Sequence, residues 1–130
     1  MSQYKIHCFD TIITHEVPTK EDSGVSGFWA YFWPLTAINM YGTSMSIEQI
    51  VPVSLHQTDI HYIYLSKPDT SVEEREAAIA MSKEVTEEDI TICNAVAQNL
   101  RSGIYTKGYL SPKHEQGLHH MYTLRSKAML

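Results

Sequence analysis

Apolar and polar positions alternate through the first half of the chain, and a longer period takes over in the second. Tyr4–His7 and Thr11–Val17 read as short strands, with Pro18–Gly27 a polar loop. Phe28–Trp33 interleaves two apolar sets, Phe28/Ala30/Phe32 and Trp29/Tyr31/Trp33, so both faces of that strand are expected to be covered. Pro34 has no N–H for a ladder and marks a corner or an edge. Leu35–Tyr41 and Met45–Val51 then pair antiparallel across Gly42–Ser44, and Thr58–Leu65 closes the strand region, rich in Ile and Tyr. After a turn at Lys67–Thr70, Ser71-Val72-Glu73-Glu74 forms a capping box that opens a helix. That helix runs to about Leu100, with a break expected near Thr86. Gly103 suits the stop and Gly108 the following turn. Ser111 as N-cap and Pro112 at N1 then start a final helix. The sum is an α+β layer, an antiparallel sheet packed by a long C-terminal helix.

One residue breaks the helical pattern. At about 100° per residue, Val85, Ile92, Cys93, Val96 and Leu100 fall on one face of the segment EVTEEDITICNAVAQNL. Asp89 lies at the centre of that stripe. An ionised carboxylate on an apolar face is costly unless a cation, several hydrogen bonds or a metal answers it. Three answers fit the local sequence. Thr86-Glu87-Glu88-Asp89 matches a capping box, in which Thr86 caps a restarted helix and Asp89 reaches back to its backbone N–H. A nearby Arg or Lys would form an ion pair. Asp89 would also serve as the single carboxylate of an iron site built from two histidines and one acid.

Composition narrows the class. A chain of 130 residues is expected to form a single domain, 1–130, with a modest core. Its formal net charge of −5 argues against nucleic acid, whose phosphates need a basic stripe. Ser23–Ile47 carries no charged residue, yet Pro34 and the glycines at Gly24, Gly27 and Gly42 argue against a membrane span. MSQYKIHCFD shows no apolar run of the secretory type. Cys8 and Cys93 follow no pairing pattern and suit a reducing compartment. The expectation is a cytoplasmic protein that touches neither membrane nor nucleic acid.

From Glu88 onward the chain reads EDITICNAVAQNLRSGIYTKGYLSPKHEQGLHHMYTLRSKAML. This resembles the tail of the catalytic domain in Rieske-type ring-hydroxylating oxygenase α subunits: Glu-Asp-Ile, a helix with Val and Gln, Leu-x-Ser-Gly-x-Tyr, a Gly-x-Leu-Ser turn, and a last helix with Glu and His. Upstream, FWAYFWPLTAINMYG looks like that family's aromatic strand, Trp-Pro corner and next strand, and IVPVSLHQTDIHYIYL like the strand pair after it. The resemblance covers most of the chain from about Gly27. It implies the C-terminal half of a helix-grip (Bet v 1-like) fold, left incomplete. It also implies that Asp89 is the carboxylate ligand of a mononuclear non-haem Fe(II). The family usually places Gln directly after the Val of this helix, where this chain has Ala97 and then Gln98.

Other family parts do not occur in this sequence. A Rieske [2Fe–2S] cluster needs Cys-x-His followed by Cys-x-x-His, and neither Cys8 nor Cys93 begins such a motif. The family's iron histidines come from an Asp/Glu-x-x-His-x4-His segment ahead of the carboxylate. His114 and His119 have the x4 spacing, but residue 111 is Ser and both follow Asp89. Iron ligation through Asp89 therefore requires His ligands from elsewhere. The resemblance implies a partner chain supplying the Rieske domain and those histidines, or a homo-oligomer, with a small organic substrate hydroxylated or demethylated using O2. An iron-free ligand-binding or structural module, closed by self-association, and a folded fragment without activity are the competing readings. Of the remaining polar groups, His56 and His61 read as solvated strand histidines, Tyr62 and Tyr64 as neighbours on one face, and Glu73, Glu74 and Glu76 as acids suited to a first helical turn.

Overall fold

A computed structural model describes residues 5–17 and 27–130. Six strands lie in sequence order: β1 (Lys5–Cys8), β2 (Ile12–Glu16), β3 (Gly27–Phe32), β4 (Thr36–Tyr41), β5 (Ser44–Ser54) and β6 (Gln57–Ser66). They form one sheet in the order β1-β2-β3-β4-β5-β6, every pair antiparallel. Two helices follow, α1 (Val72–Arg101) and α2 (Gln116–Ala128). The protein is thus α+β, an open antiparallel sheet with one long and one short helix, as in a helix-grip-like domain. Within the expected loop Pro18–Gly27, residues 18–26 lie outside the described residues, and Gly27 already belongs to β3.

The chain divides into two compact units. The first joins the strands to the C-terminal segment Ser111–Leu130, and the second is Asp69–Leu110. In the first, register sorts the interleaved sets of β3 onto opposite faces. Tyr31 pairs with Ile13 and Ala37, and Trp29 with His15 and Asn39. The same rows continue through Glu48 and Tyr62, and through Ser46 and Tyr64. Phe28, Ala30 and Phe32 face the other way with Ile38, Met40, Met45 and Ile47. The best-buried apolar side chains, Ile13 and Ala30 at 4 % exposure each, sit back to back at the centre of β2 and β3. The β3–β4 corner contains the cis peptide Trp33–Pro34, and Gly42 at φ 52° opens the β4–β5 turn, a conformation that glycine adopts without a Cβ penalty.

Helix α2 lies on the Ile13/His15 face of this sheet, against β1 and β2. Buried Gly117 makes the approach close: a Cβ there would stand 3.1 Å from Ile13 Cγ2 and 3.2 Å from His15 Nε2. The expected start of this helix at Ser111–Pro112 is corrected. Ser111 caps only a local turn, its Oγ accepting from the His114 N–H at 3.3 Å while its own N–H donates to Glu115 Oε2. Glu115 leaves helical geometry (φ −121°, ψ 33°), so the regular ladder begins one residue later, at Gln116.

In the second unit, the capping box opens α1 as the sequence pattern requires. Glu74 N–H donates to Ser71 Oγ at 3.2 Å, and Ser71 N–H donates to Glu74 Oε2 at 2.9 Å. The expected break near Thr86 does not occur, and α1 is continuous over 30 residues. At its end, Gly103 takes φ 72°, as a glycine stop signal should.

Candidate functional site

Asp89 stands on the central turns of α1 and is solvent-exposed. Water therefore meets its charge. The capping-box reading of Thr86–Asp89 is corrected: Thr86 Oγ1 donates back to the Ser82 carbonyl at 2.9 Å, the bond of a mid-helix threonine rather than of an N-cap. Thr91 does the same to the Glu87 carbonyl at 2.9 Å. The turns before Thr86 are built from good helix formers, Ala78, Met81, Lys83 and Glu84 among them, and they carry the helix through. One and two turns away on the Asp89 face lie Val85, Cys93 and Val96, none of which competes for a hard cation.

A two-histidine, one-carboxylate iron set needs three donors converging on one point. Among the described residues no group of three His, Cys, Asp or Glu side chains is placed to hold a metal. The donors among the described residues do not by themselves fit such a centre. His114 lies in the turn before α2 and His119 on α2, both exposed, with the His119 N–H bonded to the Glu115 carbonyl at 3.0 Å. Cys8 and Cys93 are free and exposed.

The sheet unit holds a cavity of about 420 Å³, lined by Ile13, His15, Trp29, Ala30, Tyr31, Ala37 and Asn39. That volume falls in the range of small-ligand sites, about 300–1,000 Å³. Burial lowers the His15 pKa from 6.5, since an imidazolium is costly away from water. Burial also raises the Tyr31 phenol above 10.0 by penalising its anion. The aromatic walls are held by hydrogen bonds. Trp29 Nε1–H donates to Tyr41 Oη at 2.6 Å, with the two rings edge to face at 5.3 Å, and the Tyr31 hydroxyl donates to the Pro34 carbonyl. Asn39 Nδ2 donates to Ser46 Oγ at 3.2 Å and to Glu48 Oε1. Tyr62 and Tyr64 stack with centroids 5.9 Å apart. On α2, His120 Nε2 is buried and makes no hydrogen bond.

Asn39, Glu48 and His15 are functional candidates that a motif reading of the sequence passes over. The signal that finds them is strand parity. Each shares a face with Trp29 and Tyr31 once the register is known.

This arrangement, an aromatic-lined antiparallel sheet followed by a long and a short helix, defines an α+β domain with a ligand-sized cavity on its sheet. The family described as "Ring hydroxylating alpha subunit (catalytic domain)" matches residues 12–129, and the chain belongs to it. Among curated proteins, choline monooxygenase, chloroplastic, from Atriplex hortensis is 30% identical over 102 residues, covering 76% of this chain and 23% of that protein. The protein of the same name from Spinacia oleracea is 28% identical over the same length, and that from Arabidopsis thaliana is 28% identical over 141 residues, covering 95% of this chain and 33% of its own length. The chain thus spans a quarter to a third of the curated relatives it matches. No solved structure gives a significant match. No described helix is long and apolar enough to cross a membrane.

Proposed function

We propose that this chain is the C-terminal half of a Rieske-type oxygenase catalytic domain, in which Asp89 gives one carboxylate to a mononuclear iron. The observation that supports the reading is a family match running from residue 12 to residue 129, which contains the Glu88-Asp89-Ile90 sequence. Two histidines and the Rieske cluster come from outside these residues, through a partner chain. The iron would supply O2 activation; the residues of this chain hold one of its ligands and part of the substrate cavity. The substrate class is a small quaternary-ammonium alcohol or a close relative, hydroxylated or demethylated, which the names of the relatives support. Electrons would reach the site from a reductase. The free cysteines suit a reducing compartment, whether cytoplasm or the chloroplast named for the relatives.

A second reading has an observation of its own. The ligand-sized cavity is lined entirely by sheet residues of one unit, which an iron-free binding module would equally use. A pull-down of this chain from its native source, assayed for iron, acid-labile sulfide and partner polypeptides, separates the two. Iron and sulfide together with the histidine-bearing chain support the oxygenase. A metal-free, sulfide-free homo-oligomer supports the binding module and overturns the first reading.

A further inference from the structure

The two edges of the sheet are not alike. At one, β1 is four residues long and opens with Lys5, the short charged kind of strand that discourages pairing. At the other, β6 runs for ten residues, with no Lys, Arg or Pro and with Asp59 as its one acidic residue. Among the described residues no strand lies beyond it. The direction of its backbone groups follows from β5. Ile50 N–H donates to the Leu35 carbonyl at 2.9 Å, so Ile50 turns its peptide groups towards β4 and away from its β6 neighbour, Ile60. Lys67 N–H donates to the Thr43 carbonyl at 3.1 Å, which sets the same parity from the other end of the strand. Thr58, Ile60 and Tyr62 therefore direct their N–H and C=O groups outward, and Asp59 and His61 direct theirs to β5. Asp59, Ile60 and His61 are all exposed. Asp59 and His61 share one face of the sheet, in register with Val51 and Gln49, and Ile60 projects from the other.

We propose that β6 pairs antiparallel with β6 of a second copy of this chain, about a twofold axis at Ile60. On that axis Ile60 meets its own copy in a hydrogen-bonded pair, and Thr58 meets the copy's Tyr62. Asp59 then falls opposite the copy's His61, and His61 opposite the copy's Asp59. Both pairs occupy the non-hydrogen-bonded positions, where Cα atoms approach to about 4.5 Å and side chains lie closest. An imidazole N–H donates to a carboxylate whether or not the ring is charged, and opposite charges in such positions stabilise a sheet. The sequence of β6 selects this register over its neighbours. An axis at residue 59 would set two carboxylates against each other, and one at residue 61 would set two imidazoles together. Asp59 Oδ1 accepts from Gln57 Nε2 at 3.2 Å, a contact along the same strand and on the same face. The interface is isologous, so it closes at two copies. It goes beyond the oxygenase reading and does not rest on it, since Asp89 belongs to the other unit of the chain.

The test is sedimentation of the full chain over a wide concentration range, with three variants beside it. The native chain is expected to show a monomer–dimer equilibrium. Ile60→Pro removes an outward N–H without touching the β5–β6 ladder, and is expected to leave a monomer with an unchanged circular-dichroism spectrum. Asp59→Lys alters only an exposed side chain and is expected to raise the dimer dissociation constant about tenfold. The exchange Asp59→His with His61→Asp is expected to restore the native value, because the twofold register again sets each residue opposite the other. That rescue separates a specific register from general loss of charge or of folding. A native chain that stays monomeric, a dimer unchanged in both Ile60→Pro and Asp59→Lys, or an exchange variant as weak as Asp59→Lys each overturns the proposal. So does a native complex in which a different polypeptide is bound and is released by Ile60→Pro, since that chain would then hold the edge. The iron content of the native complex is a separate measurement, and neither result for iron changes these outcomes.

Discussion

Replacing Gly117 by valine is expected to loosen α2 from the sheet. The added Cβ would meet Ile13 Cγ2 at 3.1 Å, His15 Nε2 at 3.2 Å and Ile6 Cγ2 at 3.6 Å. The first two separations are closer than a comfortable carbon contact, about 3.5–4.0 Å. Ile13 is only 4 % exposed, so it has nowhere to swing, and the helix must move instead. Overpacking of this kind costs about 1–3 kcal/mol. Valine regains about 0.3–0.5 kcal/mol of helix propensity over glycine, leaving a net loss of about 0.5–2.7 kcal/mol. With a urea slope of about 1–1.5 kcal/mol/M, the midpoint should fall by about 1 M. Urea unfolding followed by the fluorescence of Trp29 and Trp33, both in the sheet unit, reads that shift directly. Gly117→Ala should be close to neutral, because its propensity gain of about 1 kcal/mol offsets a milder clash. A valine variant as stable as the native chain would refute the packing argument.

Three further outcomes follow from other parts of the structure. Ser71→Ala removes the acceptor for the Glu74 N–H and should cost the α1 unit about 1 kcal/mol, read as earlier thermal loss of ellipticity at 222 nm. Gly103→Ala places a Cβ at φ 72° in open space and should cost about 1 kcal/mol through backbone strain alone, measured in the same melts. His15 is held below 6.5 by burial, so the folded chain prefers the neutral ring while the unfolded chain takes a proton near 6.5. Its contribution is present above that pH and lost as pH falls through 6.5 towards the lowered folded value. Urea midpoints at about pH 7.5 and pH 5.5 should differ less in His15→Gln than in the native chain.

The sheet was legible because its strands carry a clean period of two bounded by Pro34, Gly42 and the polar turns. Each of the six strands falls within a few residues of the expected span. The Ser71 cap was legible for a similar reason, since both halves of the box sit next to a turn with no competing structure before it. Thr86–Asp89 satisfies the same pattern and fails, because a capping box is decided by what precedes it. The residues before Thr86 propagate a helix, and Thr86 bonds back to Ser82 instead. Ser111–Pro112 fails in the opposite sense. The first turn forms, but Glu115 bends back to the Ser111 N–H and the helix restarts at Gln116. For the candidate site, Asp89 was visible as a charge in an apolar stripe, and the family pattern gave it a role to test. Glu48 and Asn39 were not visible, because nothing in SMSIEQIV distinguishes a solvated strand carboxylate from one facing two tyrosines. Only the register, which joins Ala37 to Glu48 and Glu48 to Tyr62, makes that distinction.

The proposed iron-ligand role of Asp89 is tested most directly by the ratio of iron to acid-labile sulfide in the native complex. Asp89→Ala should lower iron while leaving sulfide and the Rieske spectrum unchanged, because only the mononuclear site loses a ligand. An Asp89→Ala complex with the same iron, the same sulfide and the same spectrum as the native one would contradict the account.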